Sequence, residues 1–385
     1  RGALGILVQF YAGPYAGGAW GGFGVTNRDL FADDEFGLDP LLEACDKLVR
    51  GVYLGPLTAT PARANPGETV TLSATVYNRG RRPANAQVRF TSGLLNRVVP
   101  VTLAPGEDTT LSMEGAAGLE GITAVEARLS LDEVPWGEAA TEFVVWDPTA
   151  PVAGRQIGWQ GNYMTINGRP TFLTGTNQTG VMWATTRENP LTWNDDFAAM
   201  ADAGLTIWRV LHWSAHATFV DGNRTDNPLM LADTPPEKLI RETDAIVYLA
   251  QRHGLILMLT AHDWMELPLS DEELAAQRSW NRFWADRYRT APGLIWDLQN
   301  EPSVTVDANN PVHVELFRRY LVETHGSEAA ARTWLGLDAQ AELRPVAGDG
   351  SWGDLQSVAL YRFRTWLLRR WINENVTGLR EGNPN

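Results

Sequence analysis

The sequence predicts a multidomain chain, an antiparallel β-sandwich followed by a (β/α)8 barrel of which the first half is present. Three observations carry this. Between residues 57 and 146, short segments alternating apolar and polar are separated by turn signals. From Thr171 onward, apolar runs alternate with amphipathic helical stretches. The fourth of those runs, Leu294-Ile-Trp-Asp-Leu-Gln299, ends in Asn300-Glu301-Pro302, which sets an amide and a carboxylic acid on a strand end with a chain-breaker behind them.

Residues 1–55 read as the end of a preceding α/β domain. Ala3 to Phe10 is a buried strand and Asp39 to Val49 a helix, with Asp39 as N-cap before Pro40. The glycine run Gly13 to Gly24 lacks phosphate-loop and dinucleotide spacing, so it reads as tight packing and no cofactor is expected. Residues 56–147 supply the sandwich. Val70 to Tyr77 alternates with period two, and strands follow at Ala86–Phe90, Val98–Leu103, Thr109–Met113, Ala124–Leu131 and Ala140–Val145. Asn65-Pro-Gly-Glu68, Asn78-Arg-Gly80 and Ala104-Pro-Gly-Glu107 mark the turns. About seven short strands at that spacing make a sandwich.

Asp147 to Pro151 reads as a linker into residues 148–385, the half-barrel. Tyr163 to Pro170 is a hairpin turning at Asn167-Gly168. Barrel strands are expected at 171–176, 205–211, 255–260 and 293–298, with helices at 193–203, 235–252 and 270–288. Gly204, Gly254 and Gly293 serve as helix stops, and Ser270 with Glu273 forms a capping box. A helical excursion at 312–336 and a long helix at 357–379 follow. Half a barrel leaves unpaired edges, so the remaining strands are expected beyond Asn385.

Composition narrows the function. The formal charge of −14 argues against nucleic acid or an anionic membrane as partner, since both want clustered Lys and Arg. No stretch approaches the roughly 20 apolar residues of a membrane span. Sixteen Trp residues supply planar rings of the kind sugars stack on, although Trp also fills cores. The lone Cys45 excludes an internal disulfide framework, and its amphipathic helix places it as a buried thiol. The chain opens on Arg1 inside a strand, so compartment is not legible from its start, and oligomeric state is open.

Asn300-Glu301-Pro302 on a fourth strand resembles the acid/base strand of the clan A glycoside hydrolases, TIM-barrel enzymes that include families 5, 42 and 2. The sandwich turns resemble immunoglobulin-like accessory modules of bacterial surface and carbohydrate-active proteins. Residues 1–55 resemble the closing strand and helix of an amidotransferase-like domain. The clan resemblance implies a retaining glycosidase acting on a glycoside, oligosaccharide or polysaccharide, either galactosidase-like or an endo-glucanase or mannanase. Glu301 is then the general acid/base and Asn300 holds the neighbouring hydroxyl. Burial and a second carboxylate are expected to raise the Glu301 pKa. In the clan the nucleophilic Glu comes from the seventh strand, which places it outside this chain. A non-catalytic carbohydrate-binding or scaffold protein is the alternative.

The other strand ends add candidate substrate-binding residues: Asn177 at strand one, Arg209, His212 and Trp213 at strand two, and His262, Asp263 and Trp264 at strand three. Arg209 either braces the nucleophilic carboxylate, as the resemblance implies, or makes a salt bridge inside the barrel. His262 matches a substrate-binding histidine of family 5. His262 and Asp263 point to opposite faces of a strand, so no metal is expected.

Overall fold

A computed structural model describes residues 5–10, 15, 18–23, 38–93, 95–150, 154–178, 190–210, 235, 237–262, 267 and 270–384. It divides into two units, one made of Arg1–Asp147, Glu188–Asp196 and Arg241–Leu249, the other of Pro148–Arg187, Phe197–Ile240 and Ala250–Asn385. No helix among the described residues is long and apolar enough to cross a membrane.

The first unit opens with an antiparallel pair, β1 (Gly5–Gln9) and β2 (Ala19–Phe23), and with α1 (Asp39–Arg50). Two expectations are corrected here. Asp39 lies inside the first turn of α1, and Leu38 occupies the cap position without a side-chain bond. Cys45 is exposed, because the partly buried stripe of α1 runs through Leu41, Ala44 and Leu48 and leaves Cys45 at its edge.

The sandwich follows in strands β3 (Val52–Leu54), β4 (Thr58–Thr60), β5 (Arg63–Ala64), β6 (Thr69–Asn78), β7 (Ala84–Ser92), β8 (Asn96–Leu103), β9 (Asp108–Ala116), β10 (Gly121–Leu131) and β11 (Val134–Val145). One sheet runs β5-β11-β10-β7-β8; in the other, β3, β4 and β9 pair with β6. All these pairings are antiparallel except β5 with β11, where Arg63 and Ala64 run parallel to Val144 and Val145. The period of two places Val70, Leu72, Ala74 and Val76 of β6 in the core with Val88, Phe90, Val125, Ala127, Leu129 and Phe143. Buried Asn78 ends β6 by donating to the carbonyls of Arg82 and Leu103 while its Oδ1 accepts from Gly80 N–H. Elsewhere in this unit, Arg63 and Asp244 form a buried ion pair at 2.5 Å.

In the second unit β12 (Ile157–Gln160), β13 (Tyr163–Ile166) and β14 (Arg169–Pro170) make an antiparallel sheet. Its turn at Asn167-Gly168 has φ of +51° and +76°, the left-handed pair that a two-residue hairpin needs. Four parallel strands then pair in chain order: β15 (Gly175–Gln178), β16 (Ile207–Val210), β17 (Ile256–His262) and β18 (Leu294–Gln299). The first starts later than the sequence predicts, because Thr171 still extends the hairpin by donating to the Met164 carbonyl. The described helices along this part of the chain are α2 (Pro190–Asp202), α3 (Glu237–Arg252), α4 (Asp271–Arg287), α5 (Pro311–His325), α6 (Glu328–Leu335) and α7 (Leu355–Gly382).

Gly204 and Gly254 lie just past α2 and α3 with φ of +78° and +68°. Gly293 is different: α4 has already stopped at Arg287, capped by Tyr288, and Gly293 leads directly into β18. The expected capping box is present at Ser270 and Glu273. The helical excursion is two helices, parted at Gly326 (φ +85°), with Ser327 capping the second. Leu316, Phe317, Tyr320 and Leu321 of α5 pack with Phe363 and Leu367 of α7 in a core of their own. Further along, α7 lies close against α4, where a side chain at Gly378 or Gly382 would run into the carbonyls of Arg278 and Arg282.

Candidate active site

The parallel register brings the strand ends together. Asn177 on β15 stands beside Arg209 on β16, and His262 on β17 stands beside Gln299 on β18. Arg209 reaches across to β18. Its Nε and Nη2 donate to Asp297 Oδ2 at 2.8 and 2.5 Å, and its Nη1 donates to Asn300 Oδ1 at 2.9 Å. Thr260 Oγ1 on β17 donates to the same Asp297 oxygen at 2.8 Å. One guanidinium thus fixes both a carboxylate and the amide beside Glu301, with the rigid fork that Arg alone supplies.

Within this unit Arg209 makes a salt bridge, with Asp297. Its partner Asp297 was not singled out by the sequence reading, nor was Thr260. The available signal was an acid in the middle of an otherwise apolar strand, where an unpaired charge is costly.

Glu301 follows Asn300 directly and is exposed. The expected burial against apolar neighbours of the fourth strand is therefore not met. Its backbone is unusual, with φ of +48° just before Pro302. A left-handed conformation strains a residue carrying a Cβ, and strain of this kind gathers at functional sites. Glu301→Gly is expected to relieve about 1 kcal/mol of that strain and raise the melting temperature while removing the carboxyl group. An unchanged or lowered melting temperature would show that the backbone is not strained at this position.

His262 departs from the open rim position that the sequence reading gave it. It is fully buried, and its Nε2 lies 2.8 Å from Asn375 Oδ1 on α7. Asn375 also accepts from Asn281 Nδ2 at 2.6 Å and donates to Gln277 Oε1 at 3.2 Å, and Trp371 Nε1 donates to Gln277 as well. Because the Asn375 oxygen is an acceptor, His262 is the donor through Nε2. The physical reason for the departure is a partner 113 positions away, which no local pattern reveals.

Burial pushes the His262 ring down from 6.5 to about 4, against the Asn375 and Asn281 contacts that raise it. The folded chain therefore refuses a proton that the unfolded chain takes up. Stability should fall by about 2–3 kcal/mol as pH drops from 6.5 toward 4.5, a loss that His262→Gln should reduce. Urea midpoints at the two pH values measure it, and equal slopes for both proteins would exclude His262 as the cause.

His212, Trp213, Asp263 and Trp264 lie outside the described residues. Among the described residues, no group of three or more His, Cys, Asp or Glu side chains is placed to hold a metal ion.

An amide and an acid thus close the fourth parallel strand, and an arginine from the second strand holds the amide. Residues 164–322 match the cellulase model of glycosyl hydrolase family 5. No curated protein matches the sequence. Among solved structures, the chain is similar to an exo-chitosanase of Amycolatopsis orientalis at 16% identity and TM-score 0.27, covering 64% of this chain and 28% of that one. It is also similar to a β-glucuronidase of Bacteroides uniformis at 13% identity and TM-score 0.29, with coverages of 73% and 32%. A β-glucuronidase of Parabacteroides merdae gives 14% identity, TM-score 0.29 and the same coverages. The chain spans about a third or less of the length of these structures.

Proposed function

We propose that this chain carries the acid/base half of a retaining glycoside hydrolase site on a (β/α)8 barrel, with residues 148–385 as the first half of that barrel. Residues 56–147 serve as an accessory sandwich, and residues 1–55 close a preceding domain. Arg209 carries this reading, since it holds Asn300 Oδ1 at 2.9 Å immediately before Glu301. With its oxygen engaged, Asn300 presents Nδ2 to a substrate hydroxyl, and Glu301 protonates the leaving oxygen.

Double displacement needs a second carboxylate about 5–5.5 Å from Glu301, a role that the clan resemblance gives to a Glu on the seventh strand. Asn177 adds a polar group beside Arg209. His262 acts from behind the rim, as a buried post that holds the end of β17 to α7. The family match favours the backbone of a β-linked glucan or mannan over a terminal galactoside as substrate.

The test is a panel of chromogenic glycosides and soluble polysaccharides on the full-length protein, with product configuration followed by NMR. Hydrolysis with retained anomeric configuration is expected. Inverted product would overturn the double displacement. Saccharide binding without any turnover would favour a carbohydrate-binding role instead.

A further inference from the structure

Outside the strand ends, one surface carries a built aromatic site. Trp352 is 74% exposed and Tyr361 59% exposed, yet the two rings meet edge to face at 5.2 Å. They border a cavity of about 260 Å³ that Ser351, Ser357, Leu360 and Arg364 also line. The loop that presents Trp352 is tied down. Asp354 accepts from the Asp349, Gln356 and Ser357 backbones and from Ser357 Oγ, and Ser357 Oγ accepts from Gly350 N–H. Beneath it, Phe363 and Leu367 anchor this part of α7 in the α5–α6 core. Two large rings thus meet on a tied-down loop and helix and are left uncovered by the described residues.

Its place in the second unit is informative. Helix α4 follows the carboxyl end of β17, so its N-terminus marks the rim that bears Glu301. Helix α7 runs alongside α4 in the same direction, with Asn375 at Asn281 and Arg370 paired with Asp271 at the start of α4. The stretch Leu355–Arg369 therefore projects past the rim, and at a rise of about 1.5 Å per residue it is about 22 Å long. Trp352 and Tyr361 stand on that projection.

We propose that Trp352 and Tyr361 form a remote platform that holds a sugar ring of a polysaccharide whose scissile bond lies at Glu301. An exposed indole face offers a sugar's C–H groups a flat apolar partner, while the serine hydroxyls and the Arg364 guanidinium match its hydroxyls. Neutral saccharide is the occupant that suits an exposed aromatic pair flanked by serine hydroxyls and a guanidinium. This rests on the glycosidase reading and gives its polymeric substrate a point of attachment away from Glu301.

The test separates the two. Glu301→Gln protein, with and without Trp352→Ala or Tyr361→Ala, is run on native gels containing mixed-linkage β-glucan or glucomannan. At least one polymer should retard the single variant, and the added substitution should weaken that binding about 5–30-fold. Trp159→Ala, which removes another exposed indole, should leave it unchanged. In the otherwise unaltered protein, Trp352→Ala should raise KM on the retained polymer and leave aryl-glycoside turnover as it was. Both rings are exposed, so melting curves should be preserved. Equal retardation with and without Trp352 and Tyr361, no retardation by any of the polymers, or an equal loss in Trp159→Ala overturns the platform. Activity that survives Glu301→Gln overturns the catalytic reading and leaves the binding result standing.

Discussion

Glu301→Gln in the full-length protein is expected to lower kcat on glycosides with poor leaving groups by about 10²–10⁴-fold, the usual worth of a placed general acid. Gln fills the same space, but it has no acidic proton to give. Aryl glycosides with very good leaving groups need little protonation, so their glycosylation step should survive. The glycosyl-enzyme then stalls, because the same residue must activate water. Azide needs no such activation, and with Glu301→Ala it should restore turnover on activated substrates and give a glycosyl azide. An inert variant in azide, or unaltered hydrolysis by Glu301→Gln, would move the acid/base role to another residue.

Arg209→Met is expected to damage both stability and activity. Asp297 Oδ2 takes two hydrogen bonds from Arg209 and one from Thr260, and both charged side chains are 23% exposed. Removing the guanidinium leaves the carboxylate with the threonine alone. For a fully buried pair that loss is about 3–5 kcal/mol; solvent reaches this one, and about 2–3 kcal/mol is expected. The same change frees Asn300, so kcat/KM should fall about 100-fold as the amide loses its fixed orientation. Arg209→Lys should rescue little, since an ammonium cannot fork to a carboxylate and an amide together. A double-mutant cycle with Asp297→Asn measures the coupling, and simple additivity would mean that the pair is idle.

These two residues illustrate what a linear reading captures. Arg209 and Glu301 were both visible as polar groups ending apolar runs, because a parallel strand displays its register in its own pattern of burial. The carboxylate that Arg209 holds was not. Asp297 lies inside the fourth run, and only the pairing of β16, β17 and β18 sets it within reach of Arg209 and Thr260. His262 shows the converse. Its place on the third strand was legible, but its surroundings depend on Asn281 and Asn375 of two later helices.

Local chemistry determined the elements. Alternation in Val70 to Tyr77, the Asn167-Gly168 turn, the Ser270–Glu273 capping box and the Asn300-Glu301-Pro302 strand end all act within a few residues, so the sequence alone sufficed for them. The tertiary structure decided which side chains meet: Arg209 with Asp297, His262 with Asn375, and the rings of Trp352 and Tyr361 at the mouth of one cavity. It also decided the left-handed backbone at Glu301 and the exposure of Cys45. The meetings of Arg209 with Asp297 and of His262 with Asn375 join segments 88 and 113 positions apart, and the free energy of such contacts appears in no single stretch of the chain.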